Sequence, residues 1–156
     1  MGAVYFYHLT ETPLEVSLPL LLGKARAAGW RVLVRGHDRA LLERLDAVLW
    51  ERPEDGFLPH GMAGGPQDDA QPILLGDAPA DGFQCVMSVG GAAIAVDEVA
   101  ACDRVCILFD GQDGDAVQYA RGQWKDFTGA GCTAQYWAQD GGRWIKKAEA
   151  PSESEA

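Results

Sequence analysis

The sequence predicts an α/β protein, in which a mostly parallel, Rossmann-like sheet lies between two layers of helices and ends in a C-terminal hairpin. Short and nearly continuous apolar stretches alternate with longer segments of helical periodicity. This alternation is typical of strands that are buried on both faces and joined by crossover helices. The last two apolar stretches are separated only by Asp-Gly-Gly at residues 140–142, which is a hairpin-turn sequence.

The first elements alternate between strand and helix. Residues 3–8 are rich in β-branched and aromatic side chains and predict a buried first strand. A helix is expected to begin close to Pro19, because proline interrupts the apolar run, and to stop at Gly29. Residues 31–34 predict the second strand.

The next helix is predicted over residues 39–50, with Asp38 as its cap and leucines at helical spacing on one face. Residues 53–71 are rich in Gly, Pro and Asp and predict the longest loop. The remaining predicted elements are strands at 72–75 and 85–89, a short helix at 96–101, a strand at 104–109, a helix at 114–128, and strands at 132–139 and 143–147.

The chain of 156 residues predicts one domain over residues 1–147, followed by a disordered acidic tail at 148–156. Neither a long apolar run nor an export signal is recognisable, so we expect a cytoplasmic protein that does not enter a membrane. The four cysteines form no Cys-x-x-Cys pair and lie in apolar stretches. They are therefore expected to be reduced, buried thiols rather than metal ligands.

The charge argues against strong direct binding to nucleic acid. The formal net charge is −10, whereas a protein that grips phosphates normally carries an excess of lysine and arginine. The distribution is uneven, because residues 117–147 contain five basic residues against two aspartates. This acidic protein thus has one locally basic segment.

No catalytic, cofactor or metal site can be assembled from the motifs. The glycine-rich segments at 63–67 and 90–93 lack the lysine of a P-loop and the spacing of a dinucleotide fingerprint. Ser88 lacks the first glycine of a nucleophile elbow, and the three histidines are isolated. A small nucleotide- or phosphate-dependent enzyme on the same fold remains the alternative, since fold alone does not define function.

Two stretches resemble the chi subunit of bacterial DNA polymerase III holoenzyme. Residues 44–61 contain Leu-Asp-x-x-Leu-Trp followed by Phe-x-Pro-His, and residues 118–125 read Gln-Tyr-Ala-Arg-Gly-Gln-Trp-Lys. Residues 29–34 add Gly-Trp-Arg-Val-Leu-Val. The resemblance implies a non-enzymatic clamp-loader subunit that binds a partner called psi and the acidic C-terminal tail of single-stranded DNA-binding protein.

The predicted helix at 114–128 carries an unusual cationic pair. Arg121 and Lys125 lie four residues apart and repel each other unless an anion lies between them. Val117 and Trp124 lie on neighbouring turns and add an apolar patch beside these charges. The resemblance implies that these four residues bind the acidic tail, and the alternative is an ordinary solvated helix face.

The loop that contains Phe57, Leu58, Pro59 and His60 shows apolar side chains where water is expected. The resemblance implies that this loop contacts psi or an equivalent partner. In the alternative, Phe57 packs on Trp50 as part of the core.

Two further questions stay open in the sequence. Arg143, Lys146 and Lys147 either extend the basic field or act as solubilising charges. A third hypothesis for function is direct single-strand binding through the tryptophans of the basic segment, which are Trp124, Trp137 and Trp144.

Overall fold

The computed structural model describes residues 2–51, 60–64, 71–77 and 82–150. The elements in these residues are, in chain order, β1 (Ala3–Leu9), α1 (Leu14–Ala27), β2 (Val32–Arg35), α2 (Arg39–Glu51), β3 (Gly61–Met62), β4 (Ile73–Gly76), β5 (Cys85–Ser88), α3 (Val96–Ala101), β6 (Arg104–Asp110), α4 (Gly114–Gly129), β7 (Thr133–Asp140) and β8 (Arg143–Ala150).

One sheet contains the eight strands of the described residues, in the order β3-β4-β2-β5-β6-β1-β7-β8. Neighbouring strands are parallel throughout, except that β7 and β8 form an antiparallel hairpin. The predicted fold class is confirmed. The parallel order requires crossovers, and the helices provide them on both faces.

The two faces of the sheet can be followed through β2. Val32 and Val34 belong to one core cluster, together with the buried leucines of α1 and α2. Leu33 belongs to the opposite cluster, which also contains Val99 of α3 and Phe127 of α4. Successive side chains of a strand point to opposite faces, so apolar residues are needed at every position of the central strands.

Helix α1 begins at Leu14 and includes Pro19, so the predicted start near that proline was wrong. Pro13 occupies the N-cap position, where its lack of an N–H is harmless. Proline inside a helix costs about 3 kcal/mol. Burial of Leu18 and Leu22, which are both 0% exposed, stabilises the helix by roughly 1.5–3 kcal/mol per side chain and outweighs this cost.

The hairpin strand β8 continues to Ala150, three residues beyond the predicted end at Lys147. Ala150 pairs with Ala134, and Lys147 forms a β-bulge in β8, opposite the step from Tyr136 to Trp137 of β7. Backbone pairing to β7 extends the strand there, although Ala148, Glu149 and Ala150 offer little apolar surface to bury. Residues 151–156 lie outside the described residues, and their disorder stays a prediction.

A two-residue strand, β3, lies inside the region predicted as loop. It pairs in parallel with β4 and forms the short outer edge of the sheet. A strand of this length carries no periodicity, so no sequence pattern could have indicated it. None of the described helices is long and apolar enough to span a bilayer.

The cysteines divide into two classes. Cys85 and Cys106 are buried as expected, whereas Cys102 and Cys132 are only partly buried, and all four thiols are free. A hydrogen bond with Cys106, together with burial, raises the pKa of the Cys85 thiol. The raised pKa makes Cys85 a poor nucleophile, and both buried thiols pack as small apolar side chains.

Candidate partner-binding site on helix α4

Helix α4 is fixed at its N-terminus and along one side. Oδ1 of Asp113 accepts hydrogen bonds from the backbone N–H groups of Asp115 and Ala116, at 3.0 and 3.4 Å, which caps the helix. Ala120 and Phe127 are buried against the sheet. This anchoring determines which flank of the helix reaches solvent beside β1 and β7.

The four predicted tail-binding residues, Val117, Arg121, Trp124 and Lys125, lie together on that flank of α4, and we call them the α4 cationic surface. Arg121 and Lys125 are exposed, whereas Val117 and Trp124 are partly buried. The ion pairs found within the described residues join Arg35 to Glu98, Arg39 to Glu43, His60 to Asp46 and Lys146 to Glu149. Arg121 and Lys125 take part in none of them.

The indole of Trp124 forms an apolar wall without being sealed in the core. Its ring centroid lies 5.5 Å from that of Phe6 and 6.1 Å from that of Tyr136, both in edge-to-face geometry. Such contacts hold the ring in one orientation. The partly exposed indole is therefore fixed in position on the same flank of α4 as Arg121.

Side chains of β1, β6 and β7 extend the aromatic wall that Trp124 begins. The Tyr136 hydroxyl lies 3.0 Å from Nδ1 of His8, and the His8 ring stacks on Phe109 with centroids 4.9 Å apart. Burial, followed by the positive charge of Arg121, lowers the pKa of His8. Burial raises the pKa of Tyr136, while Arg121 opposes this shift. Arg121 is thus electrostatically coupled to both side chains.

His8, Phe109 and Tyr136 were not recognised as neighbours of the site in the sequence. A signal existed for His8, because its alternation with Val4 and Phe6 places it on the sheet face that α4 covers. Tyr136 pairs with Phe6 in the register of β7 against β1, and this long-range pairing cannot be read from local periodicity.

The predicted partner loop is described only at one residue. Phe57, Leu58 and Pro59 lie outside the described residues. His60 is 5% exposed, and its Nε2 lies 3.1 Å from Oδ1 of Asp46. Its ring centroid lies 4.5 Å from that of Trp50. His60 therefore lies beneath the surface, whereas the neighbouring Trp50 is 51% exposed.

The tryptophans proposed for single-strand binding are divided between the two faces of the sheet. Trp124 packs with the cluster under α3 and α4, whereas Trp137 and Trp144 pack with the cluster under α1 and α2. The Trp144 ring lies edge-on to Tyr7, with centroids 5.1 Å apart. Three rings on opposite faces do not form one stacking surface for consecutive bases.

The fold and the site define an α/β protein that presents a cationic surface with an aromatic wall. The described residues contain no group of three or more side chains that could hold a metal ion. A model of the family DNA polymerase III chi subunit, HolC, matches residues 1–135. The chain belongs to this family of replication accessory subunits.

One curated relative matches part of the chain. It is the DNA polymerase III subunit chi of Escherichia coli (strain K12), which is 46% identical over 44 residues. This stretch makes up 28% of the chain and 30% of the length of that relative. The family model and this relative agree with the resemblance that the sequence motifs indicated.

Proposed function

We propose that this protein binds the acidic C-terminal tail of single-stranded DNA-binding protein through the α4 cationic surface. By this contact it links DNA coated with that protein to the clamp-loader part of the polymerase III holoenzyme in the cytoplasm. The role is one of binding and not of catalysis. The observation that carries the proposal is the exposed pair of Arg121 and Lys125 beside the fixed indole of Trp124.

The charges support an anionic partner. Arg121 and Lys125 lie one helical turn apart and are absent from the ion pairs of the described residues. A carboxylate between them converts their repulsion into attraction. The guanidinium of Arg121 can hold a terminal carboxylate through two parallel hydrogen bonds, which gives orientation as well as affinity.

The apolar part of the surface supports a partner with an aromatic end. Trp124 is braced by Phe6 and Tyr136, and Val117 adds an aliphatic side chain one to two turns away. A chain end that combines a ring with a carboxylate matches both halves of this surface. A phosphate backbone matches it less well, because the net charge of −10 repels a polyanion.

A second surface supports attachment to a clamp-loader component, either psi or its equivalent. Trp50 exposes half of its surface near the end of α2, shortly before Phe57, Leu58 and Pro59 in the sequence. Buried aromatic anchors commonly dominate protein interfaces. His60 contributes by positioning the Trp50 ring from below, since its own side chain is buried.

Titration of the purified protein with a tail peptide tests the first contact. A peptide with an acidic stretch and a C-terminal aromatic residue is expected to bind with a micromolar Kd, equivalent to about −8 kcal/mol. Arg121→Ala is expected to weaken binding at least tenfold, and raising the salt concentration weakens binding in the native protein. Arg39→Ala is the matched control, because Arg39 is an exposed helical arginine on α2.

Full-length single-stranded DNA-binding protein provides the complementary experiment. It is expected to be retained by this protein, whereas a form without its last residues is not. Equal affinity of Arg121→Ala and native protein, or retention of the shortened form, contradicts the proposed tail site. For the second contact, Trp50→Ala is expected to abolish co-purification with the other polymerase III subunits while tail binding is unchanged.

A further inference from the structure

The strand β8 ends close to the α4 cationic surface. Ala150, its last residue, packs against the core cluster that contains Phe127 of α4. Two residues earlier, Ala148 pairs with Tyr136 of β7, and the ring centroid of Tyr136 lies 6.1 Å from that of Trp124. The chain therefore leaves the sheet on the face that α4 covers.

The flank of α4 that bears the cationic surface is the one turned toward the hairpin. Trp124 packs against Tyr136 of β7, and β8 is the next strand outward in the sheet. On the opposite flank of the helix, Tyr119 borders residues 93–96 instead. A segment that continues from β8 therefore approaches α4 from the flank of the cationic surface.

The chain that follows β8 is long enough to reach this surface. We call residues 151–156 the C-terminal segment, and an extended chain of that length spans about 20 Å. Strand β8 ends opposite Ala134, which follows the last helical residue, Gly129, closely in the chain. At 1.5 Å per residue, Lys125 lies about 6 Å and Arg121 about 12 Å along the helix from Gly129.

The charges of the segment and the surface are complementary. The C-terminal segment reads Pro-Ser-Glu-Ser-Glu-Ala, so it carries Glu153 and Glu155 and no basic residue. Arg121 and Lys125 are exposed and take part in none of the ion pairs of the described residues.

The spacing of the charges matches as well. Alternate residues of an extended chain lie about 7 Å apart, which is the separation expected for Glu153 and Glu155. Side chains four positions apart on a helix, such as those of Arg121 and Lys125, begin about 6 Å apart. Both carboxylates can therefore meet both cations at the same time.

We propose that the C-terminal segment binds the α4 cationic surface of its own chain, with Glu153 and Glu155 on Arg121 and Lys125, and competes there with an external acidic tail. This inference rests on the proposed function, because it concerns regulation of the same site. The segment contains no aromatic residue and leaves Trp124 uncovered. An acidic tail with an aromatic end gains this extra contact and displaces the segment, whereas a merely acidic partner does not.

The expected competition is modest. A short linker gives an effective concentration on the order of millimolar, so an internal contact with a millimolar Kd is formed about half of the time. The apparent affinity for an external ligand falls by the fraction of molecules whose surface is free, which here means about twofold. A partner that binds the surface with micromolar Kd still displaces the segment.

Calorimetric titration with the acidic, aromatic-ended tail peptide measures the competition. A protein shortened to end at Ala150 is expected to bind the peptide about twofold more tightly than the native protein, and the difference should shrink as the salt concentration rises. Glu153→Gln with Glu155→Gln should give the same gain at unchanged length. The matched control is Ser152→Ala with Ser154→Ala, which changes the same segment without changing its charge and should bind as the native protein does.

Cross-linking tests the contact itself, without any peptide. A carbodiimide joins a carboxylate to an amine only where the two groups touch, so an amide between Lys125 and Glu153 or Glu155 is expected in digests analysed by mass spectrometry. Lys24 is the control, because it is an exposed lysine of α1 on the other face of the sheet and should form no such link. Mixing nitrogen-15-labelled with unlabelled protein distinguishes links within one chain from links between chains.

The internal contact and the proposed function can fail separately. If no form of the protein binds the tail peptide, the proposed function fails, and the cross-link to Lys125 still tests the internal contact. Equal peptide affinity of the native and shortened proteins overturns the competition while the proposed function stands. The absence of the link to Lys125, or its formation only between chains, overturns the proposal as well.

Discussion

The hydroxyl of Tyr136 lies 3.0 Å from Nδ1 of His8 and connects β7 to β1 beside the α4 cationic surface. Burial is the main cause of the lowered pKa of His8, and the positive charge of Arg121 is the second. An anion that neutralises Arg121 removes part of the second cause. Occupation of the proposed tail site is therefore linked to proton uptake by His8.

Tail affinity is expected to rise as the pH falls below about 6.5, the ordinary pKa of histidine, because the pKa of His8 in the folded protein lies below that value. The bound protein holds a proton on His8 more readily than the free protein, so lowering the pH favours the complex. Calorimetric titration at several pH values measures the effect, since affinity depends on pH wherever the bound and free protein hold different numbers of protons. His8→Gln should give a flat profile, and a slope that persists in this variant assigns it to another group.

The stability of the free protein is expected to change with pH in the opposite sense. The pKa of His8 is lower in the folded protein than the ordinary value of about 6.5 in the unfolded chain. The unfolded chain therefore binds more protons, and stability is lost as the pH falls from about 6.5 toward the lower pKa of His8 in the folded protein. Urea denaturation at pH 7.5 and 5.5 should show a smaller loss in His8→Gln than in native protein. Equal losses would contradict this role of His8.

Two glycines near the site are expected to respond oppositely to alanine. A Cβ at Gly111 would lie 2.5 Å from Cδ2 of His8 and 2.8 Å from the carbonyl oxygen of Leu9, so Gly111→Ala should destabilise by about 1–3 kcal/mol. Gly122 lies inside α4, and a methyl group added there would have no neighbour within 4 Å, so Gly122→Ala should stabilise by about 0.5–1 kcal/mol. Thermal and urea unfolding measure the change in stability of each variant. Changes of the same sign in Gly111→Ala and Gly122→Ala would contradict this prediction.

Trp124 is expected to contribute to both stability and binding. Its indole is partly buried against Phe6 and Tyr136, so Trp124→Ala should cost about 2 kcal/mol, roughly half the loss for a fully buried ring. The same variant should weaken tail binding at least tenfold. Trp124→Phe keeps an aromatic wall and should retain most of both properties. If Trp124→Ala loses stability but binds the tail normally, the indole is only structural.

Much of the fold could be predicted from local patterns, because strands buried on both faces and amphipathic helices carry strong periodicities. Helix α2 begins at Arg39 as predicted, and Oδ1 of Asp38 accepts from the N–H of Ala40. The start of α1 was predicted wrongly because the destabilising effect of Pro19 can be seen in the local sequence. The burial of leucines that outweighs this effect depends on packing against the sheet, which the local sequence does not show. Strand β3 is too short to have a pattern.

Parts of the candidate site also follow from local sequence patterns, whereas other parts depend on contacts between distant segments. Helical spacing alone placed Val117, Arg121, Trp124 and Lys125 on one flank of α4, and the structure brings them together. The contact of His8 with Tyr136 joins residues 128 positions apart, and the pairing of Ala150 with Ala134 brings the end of β8 to the sheet face that α4 covers. Arrangements of this kind arise from strand order and register, which a single sequence specifies only weakly.

The two outer strands of the sheet have a consequence for self-association. An open strand edge is a template on which another chain can add a strand. Within the described residues, one edge strand, β3, has two residues, and the other, β8, carries Lys146 and has Lys147 at its β-bulge. Short or positively charged edge strands disfavour pairing with the edge of another copy. Crowded copies of this protein are therefore expected to resist edge-to-edge association into fibrils.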